Sequence, residues 1–584
     1  MRPLTSFVAT AVVALFLASV SSPARACGGT FCDGGGQTQT GAVVMSVDQR
    51  GENILFVLDG KSVETHIQIQ YQGDAAHFAW VIPVPAIPAF QIGSQALFDR
   101  LLTTTVPSYG FGTRTGCPVS GTPSAPSTGT GAQGTDPHVV YKAAVGAYEI
   151  HVISGTKADD VQQWLVDHGY APSADAPPIL QKYLEEGYLF AAVKLQNGVG
   201  VDQIHPIVIT VPGDKPCVPL RLTRVAAVEN MAVRAFFLAE RRAVPTNYKH
   251  VTLNPLRLDW TSYANNYDDV VSAAIDAPVA DGHAFITEYA GPSSVARLPA
   301  VAWTSTPFES IAPENVVTEL TKQGLASCYQ TSCQFAHPLL TPILHQFLPV
   351  PAGMTDAQFY SALPTHKLLI DAKAWDAAGF AGAFAERIEQ PALHAAGLVN
   401  QHPYLTRLLT HISPAEMTVD PEFALRSGLG DVGNTHVATL DTSCGCPAMN
   451  LPDGRKVSIS TNNAYGQWPS WDAEMPYAER IEDMSTDGPP ITLVNESARI
   501  DDVIDQREAG IHCVGTPNNG FGGSGAGYYH FGEGNDTYGG DNSSGDACAA
   551  CTVGRRTDVS NVTVAAIALG VLATWRRRRS RAAR

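Results

Sequence analysis

The chain of 584 residues is 45% hydrophobic and only 16% charged, which leaves enough apolar side chains to bury one or more cores and excludes a wholly disordered polymer. Its 38 Lys and Arg against 55 Asp and Glu give a formal net charge of −17, and because both termini are basic the stretch between them is more acidic still, which argues against a nucleic-acid partner gripped through its phosphates. At roughly 150 residues per domain, about two or three domains are expected.

The N-terminus opens with Arg2, runs through an apolar stretch from Phe7 to Val20 and reaches Ala24-Arg25-Ala26 just before Cys27. This is the pattern of a secretory signal peptide over residues 1–26, too short in its apolar part for a lasting membrane span. Residues 27–300 then read as a β-rich α+β domain. NILFVLDG and SVETHIQIQYQ predict strands, the second with Val63, Thr65, Ile67, Ile69 and Tyr71 on one face, the pattern of a half-buried antiparallel sheet. HFAWVIPVPAIP extends as a strand broken by X-Pro steps, and Trp80, like Trp260 further on, reads as a core aromatic. The Gly/Pro/Ser/Thr-rich residues 118–137 form an excursion. GAYEIHVIS, YLFAAVKL, HPIVITV and MAVRAFFLAE predict further strands, while ADDVQQWLVDHGY and PPILQKYLEEG predict helices.

Residues 301–425 change texture. PENVVTELTKQ, HPLLTPILHQFL, TDAQFYSAL and AWDAAGFAGAFAERI each repeat their apolar residues at a helical period, so this is a mainly helical region. Residues 426–515 are irregular with short strands such as HVATLD and KVSIS. Residues 516–547 are rich in Gly, Asn and Ser and nearly devoid of aliphatic side chains, the composition of a flexible stalk. Residues 548–584 combine Cys548 and Cys551, a short apolar transmembrane helix ending at Trp575, and an Arg cluster beginning at Arg576. Positive charge after an apolar segment holds that end in the cytoplasm. Stalk, Cys pair, helix and Arg cluster together resemble the MYXO-CTERM class of myxobacterial C-terminal sorting signals, which implies removal of the helix and retention at the cell surface, with Cys548 or Cys551 as the point of lipidation or attachment. A plain single-span anchor is the alternative.

Eleven cysteines in an exported chain default to disulfides, and the odd count leaves one unpaired or modified. Cys27 with Cys32 and Cys328 with Cys333 are spaced for local bridges, Cys117 and Cys217 are left mainly to each other, and Cys513 is expected to take Cys444 or Cys446. The rival reading of Cys328, Cys333 and His337 is a zinc site, although their spacing matches no standard finger.

Motifs that could carry chemistry also have plainer readings. Gly428-Leu429-Gly430-Asp431-Val432-Gly433 has dinucleotide spacing but lacks the preceding strand and following helix, so it reads as a turn. Ser154-Gly155-Thr156-Lys157 lacks the companion motifs of penicillin-recognising enzymes and reads as a helix cap. The densest run of reactive residue types is His402, Arg407, His411, Glu416, Asp420 and Glu422. On a helix from Pro403, Arg407 and His411 share a face at i, i+4, and a carboxylate beside His411 would suit acid–base or metal chemistry; an ion-paired helix junction is the plainer reading.

CGGTFC, ILFVLDG, HIQIQYQGDAAHFAWVIPVP, CVPLRLTRVAAVENMAV, VPTNYKHVTLNPLRLDW and YLTRLLTHISPAEMTVDPEF together resemble the bacterial domain-of-unknown-function family numbered 2330, over about residues 27–425. The resemblance implies an exported protein and carries no activity or site residues. The expectation is therefore an α+β protein, held at the cell envelope through its membrane tail, that binds an envelope component or surface ligand, with no cofactor and no nucleic acid. The alternative is a secreted hydrolase with catalytic residues near His411, Glu416 and Asp420.

Overall fold

The computed structural model describes residues 47–511 and the two-residue strand Cys32–Asp33, apart from 74–78, 115–141, 156, 168–169, 172, 174, 197–202, 214, 299–302, 331, 372, 374, 443–446 and 460–465. The segments read as signal peptide, stalk and sorting tail lie outside the described residues, as do Cys27, Cys117, Cys444, Cys446, Cys513, Cys548 and Cys551.

A ten-stranded sheet organises the described chain. Its strands are β1 (Val47–Leu58), β2 (Ser62–Gly73), β3 (Ala89–Ile92), β4 (Ile207–Pro212), β5 (Ala227–Ala239), β6 (Lys249–Leu253), β7 (Ala284–Pro292), β8 (Tyr404–Ile412), β9 (Ala478–Asp483) and β10 (Ile491–Asn495), in the spatial order β10-β9-β6-β7-β8-β5-β1-β2-β4-β3. β1 and β5 run parallel, as do β6 and β7, so the sheet is mixed rather than purely antiparallel. Parallel neighbours need a long connection. Between β2 and β5 the chain leaves to build a separate antiparallel sheet from Ala79–Val84, Leu189–Leu195, Tyr148–Ile153 and Lys142–Val145.

Helices fill the remaining layers: α1 (Gln95–Thr105), α2 (Ala158–Asp167), α3 (Ala176–Glu185), α4 (Tyr267–Ile275), α5 (Val316–Lys322), α6 (Leu340–Phe347), α7 (Asp356–Ser361), α8 (Ala377–Phe384), α9 (Gln390–Gln401) and α10 (Ser497–Ala509). The smaller sheet packs Trp80, Ile82, Ile150 and Val193 against Ile54, Phe56, Val63 and Ile67 of the large one, and buries its other face under α2 and α3. The opposite face of the large sheet is covered by Leu97, Phe98 and Leu101 of α1 and by Ala395, Leu398 and Val399 of α9. The sheet is thus buried on both faces here, not half-buried. The continuous apolar runs Ile54–Val57 and Ala235–Ala239 are the sequence mark of that environment, whereas the alternation of β2 pointed to one face only.

The α+β class holds, with strand-rich residues first and helices after residue 300. Those helices form their own core around Phe308, Leu320, Leu340, Phe359, Phe380 and Phe384. The boundaries drawn at 300 and 425, however, do not divide the large sheet. β8 comes from the region read as helical and sits centrally between β7 and β5, and β9 and β10 come from the region read as irregular. The helix expected from Pro403 is strand β8. Even spacing explains the exchange, because Arg407 and His411, four apart, share a face in either conformation. In β8, Leu405, Leu408 and Ile412 are fully buried.

Candidate metal centre

Side chains alternate across a strand, so with Val63 and Ile67 of β2 in the core under the smaller sheet, Glu64, His66 and Gln68 face the α1/α9 layer. Glu64 lies opposite Val57 of β1 and Thr210 of β4, and His66 opposite Leu55 and Val208. α9 crosses above them with its apolar stripe turned down, and His394, one residue before the buried Ala395, projects at the margin of that stripe.

One carboxylate oxygen joins the three groups. Glu64 Oε1 lies 2.7 Å from His66 Nε2 and 2.6 Å from His394 Nε2, and the two imidazole rings are stacked with centroids 6.0 Å apart, only 13° from parallel. Among the described residues this is the only set of three or more His, Cys, Asp or Glu whose candidate donor atoms lie within 4.8 Å of one another. Side-chain exposure rises from 1% at His66 through 19% at Glu64 to 38% at His394, so the set opens to solvent on the helix side.

Burial opposes ionisation of Glu64, but hydrogen bonds from His394 and His66 and the charge of both rings outweigh it and hold its carboxyl at about 2. The hydrogen bond to Glu64 raises the His394 pKa against the opposing effect of burial. The carboxylate is therefore ionised throughout the physiological range, ready as a metal ligand. Two imidazole nitrogens and one carboxylate oxygen form a donor set suited to zinc and neighbouring transition ions and poorly suited to calcium or magnesium. Ligands about 2.0–2.1 Å from a tetrahedral ion stand roughly 3.4 Å apart, so the two nitrogens need move less than about 1 Å from Glu64 to admit one.

A polar seam continues along the same face. Asn53 Nδ2 donates to Gln68 Oε1 at 2.9 Å, Gln68 Nε2 donates to Gln95 Oε1 at 3.0 Å, and Gln95 Nε2 donates to Asp99 Oδ1 at 2.8 Å. Two buried atoms of the seam, His66 Nδ1 and Asn53 Oδ1, have no hydrogen-bond partner among the described residues. If His66 bound a cation through Nε2, its proton would sit on Nδ1.

The residues singled out from sequence do not converge. His411 Nδ1 bonds Ser272 Oγ of α4 at 2.9 Å, with Asp268 3.7 Å from its Nε2, and burial lowers its pKa. Glu416 accepts the Ser413 N–H at 2.7 Å and lies against Gly282, whose φ of +72° favours glycine. Asp420 accepts from Tyr183 at 2.7 Å and from the Arg221 backbone at 2.8 Å and side chain at 2.7 Å, while Arg221 also grips Glu186 through two 2.7 Å bonds. These are three separate structural junctions. Arg407 pairs with the buried Glu288 at 2.5 Å, a carboxylate that also accepts from Tyr267 at 2.8 Å. Cys328 and Cys333 face each other across a hairpin and are joined by a disulfide, Cα to Cα 4.0 Å, so neither sulfur is free to hold zinc with His337; His337 Nδ1 instead accepts the Leu339 N–H at 3.2 Å. Cys217 is half-buried and has no disulfide partner among the described residues; its expected partner Cys117 lies outside them. Gly428 to Gly433 leads into a strand, Thr435–Asp441, and carries no dinucleotide turn.

Reading the sequence alone missed Glu64, His66 and His394. The available signal was Glu-x-His inside β2, two polar ligand types at period two on the face opposite Val63 and Ile67. Nothing in sequence linked them to His394, 330 residues beyond Glu64.

No curated protein and no solved structure matches the chain. The family described as "Uncharacterized protein conserved in bacteria (DUF2330)" matches residues 23–424, more than half of the sequence and inclusive of all three candidate ligands, and the chain belongs to that family.

Proposed function

We infer that this is an exported protein, held at the cell envelope by its C-terminal tail, that binds a divalent transition-metal ion through Glu64, His66 and His394. The observation that carries the metal reading is the single oxygen of Glu64 set 2.6 and 2.7 Å from two imidazole nitrogens supplied by a helix and a strand. Export and envelope attachment are supported by the apolar segment before Cys27 and the Arg-flanked tail after Cys551. Among the described residues no helix is long and apolar enough to cross a membrane, and the attachment reading rests on the tail sequence alone.

Binding must displace protons from His394 and move the His66 proton into the polar seam, so affinity rises with pH through the titration of His394. Titration calorimetry of the full-length protein with zinc chloride tests the reading. One site is expected whose affinity falls at least tenfold in Glu64→Gln and in His394→Ala, with magnesium giving no heat. Equal zinc affinity in wild type and both variants contradicts it.

The exposure of His394 favours a second reading. Three protein ligands with a solvent-facing side leave a coordination position for water, the arrangement a hydrolytic zinc uses. A secreted hydrolase would then work from Glu64, His66 and His394, not from the dispersed His411, Glu416 and Asp420. Zinc-dependent turnover on ester, peptide or glycan panels separates hydrolysis from binding alone.

A further inference from the structure

A second constellation lies in the opposite half of the large sheet and is independent of the metal reading. Glu482 of β9 and Phe285 of β7 pair with His250 of β6 from its two sides, so alternation puts Glu482, His250 and, two residues beyond Phe285, Thr287 on one face of three neighbouring strands. The register of β7 against β8 slips between Thr287 and Tyr289, the mark of a β-bulge, a device that re-aims side chains beside functional sites. His250 Nε2 lies 2.9 Å from Thr287 Oγ1, and its Nδ1 lies 3.6 Å from Glu482 Oε2.

The charges set the direction of this relay. The hydrogen bond from His250 holds the Glu482 carboxyl below its ordinary range against the effect of burial, and burial lowers the His250 pKa, so an ionised carboxylate faces a neutral ring. An ionised carboxylate only accepts, which places the ring proton on Nδ1 and leaves Nε2 to accept from the Thr287 hydroxyl. Arg242 Nη2 donates to the same Oγ1 at 2.9 Å. A hydroxyl that donates to a neutral imidazole while accepting from a guanidinium is set to lose its proton: the base takes it and the cation steadies the oxygen left behind. Arg242, His250 and Glu482 are each at most 8% exposed, whereas Thr287 is half-buried. Arg242 Nη1 also donates to the Gly430 carbonyl at 2.9 Å, so the glycine loop 428–433 borders the relay, and a methyl group added at Gly430 would touch nothing within 4 Å. The ground beside the arginine is open.

We propose that Thr287 is the nucleophile of an acyl-transfer site that hydrolyses small esters, with His250 its general base, Arg242 the cation beside its oxygen and Glu482 a positioning residue for the imidazole. Thr287 Oγ1 bonds to the ester carbonyl carbon as its proton passes to His250 Nε2; the bond from that carbon to the alcohol oxygen then breaks, and the alcohol leaves with the proton. Water repeats the sequence on the acyl-threonine, giving a proton to Nε2, and the carboxylic acid departs as that proton returns to Oγ1.

The test treats the full-length protein, in chelator so that any metal site is silent, with diisopropyl fluorophosphate, from which Oγ1 would displace fluoride at phosphorus, and maps the adduct by peptide mass spectrometry. The diisopropylphosphoryl group is expected on Thr287. Thr287→Ser should keep an adduct at that position and Thr287→Val should lose it, while His250→Gln should slow labelling at least about 100-fold, the worth of a general base. Glu482→Gln should slow it at least about tenfold, and Glu482→Asp should restore most of the rate. No adduct at millimolar reagent, an adduct on other residues only, or a labelling rate unchanged in His250→Gln would each overturn the proposal. None of these outcomes bears on zinc binding at Glu64.

Discussion

Replacing Glu64 by Gln keeps the shape and one acceptor while deleting the charge that two histidines share. The Glu64 carboxyl is held at about 2 against an ordinary 4.5, a gap worth roughly 3 kcal/mol at about 1.4 kcal/mol per unit, and with the side chain 19% exposed about 2 kcal/mol is the expected net loss. The sign has two parts. A depressed carboxyl pKa contributes stability that is fully present above about pH 4.5 and is lost as pH falls toward 2. The raised His394 pKa contributes stability that is fully present below about 6.5 and is lost as pH rises through its folded value. The difference between wild type and Glu64→Gln should thus be largest between about pH 4.5 and 6.5, shrink strongly toward pH 2 and shrink partly above neutrality. Urea unfolding at pH 3, 5.5 and 9, in chelator so that only protonation is read, measures it. A difference that is flat with pH, or absent at pH 5.5, would refute the charge-shared arrangement.

Three further perturbations probe the surrounding fold. Glu52 is fully buried and burial pushes its carboxyl up to about 7, so wild-type stability should fall as pH rises from about 4.5 to 7; Glu52→Gln should match wild type at pH 4.5 and exceed it by up to about 3 kcal/mol at pH 8 in urea unfolding. Arg407→Met strands the buried Glu288 and should cost about 3–5 kcal/mol, most of it recovered in the double variant with Glu288→Gln, as thermal melts of the three proteins would register. Gly146 has φ +57° and faces the His205 ring, so Gly146→Ala should destabilise by about 1–3 kcal/mol and raise hydrogen exchange in the Lys142–Ile153 hairpin.

The sequence was most legible where a pattern had one physical meaning. The amphipathic helices after residue 300 appear where their period placed them, because an apolar stripe at 3.6 residues has one way to be buried. β8 reads as helix in sequence because Arg407 and His411 at an even spacing satisfy helix and strand alike, and only pairing with β5 and β7 decides between them. The polar face of β2 gives no signal in sequence because alternation suggests water on the side opposite Val63 and Ile67, whereas α1 and α9 close that side. Once closed, a buried Glu-x-His needs partners, and His394 supplies one. Its identity depended on tertiary packing: α9 begins at a proline-linked π turn that no periodicity announces.

The metal reading is tested most directly by X-ray absorption at the zinc edge of the zinc-loaded full-length protein, compared with His394→Ala. The account predicts nitrogen and oxygen scatterers at about 2.0–2.2 Å, two imidazole signatures in the wild type and one in the variant. Sulfur at about 2.3 Å, or a spectrum unchanged by His394→Ala, would place zinc on other residues and contradict the assignment of Glu64, His66 and His394.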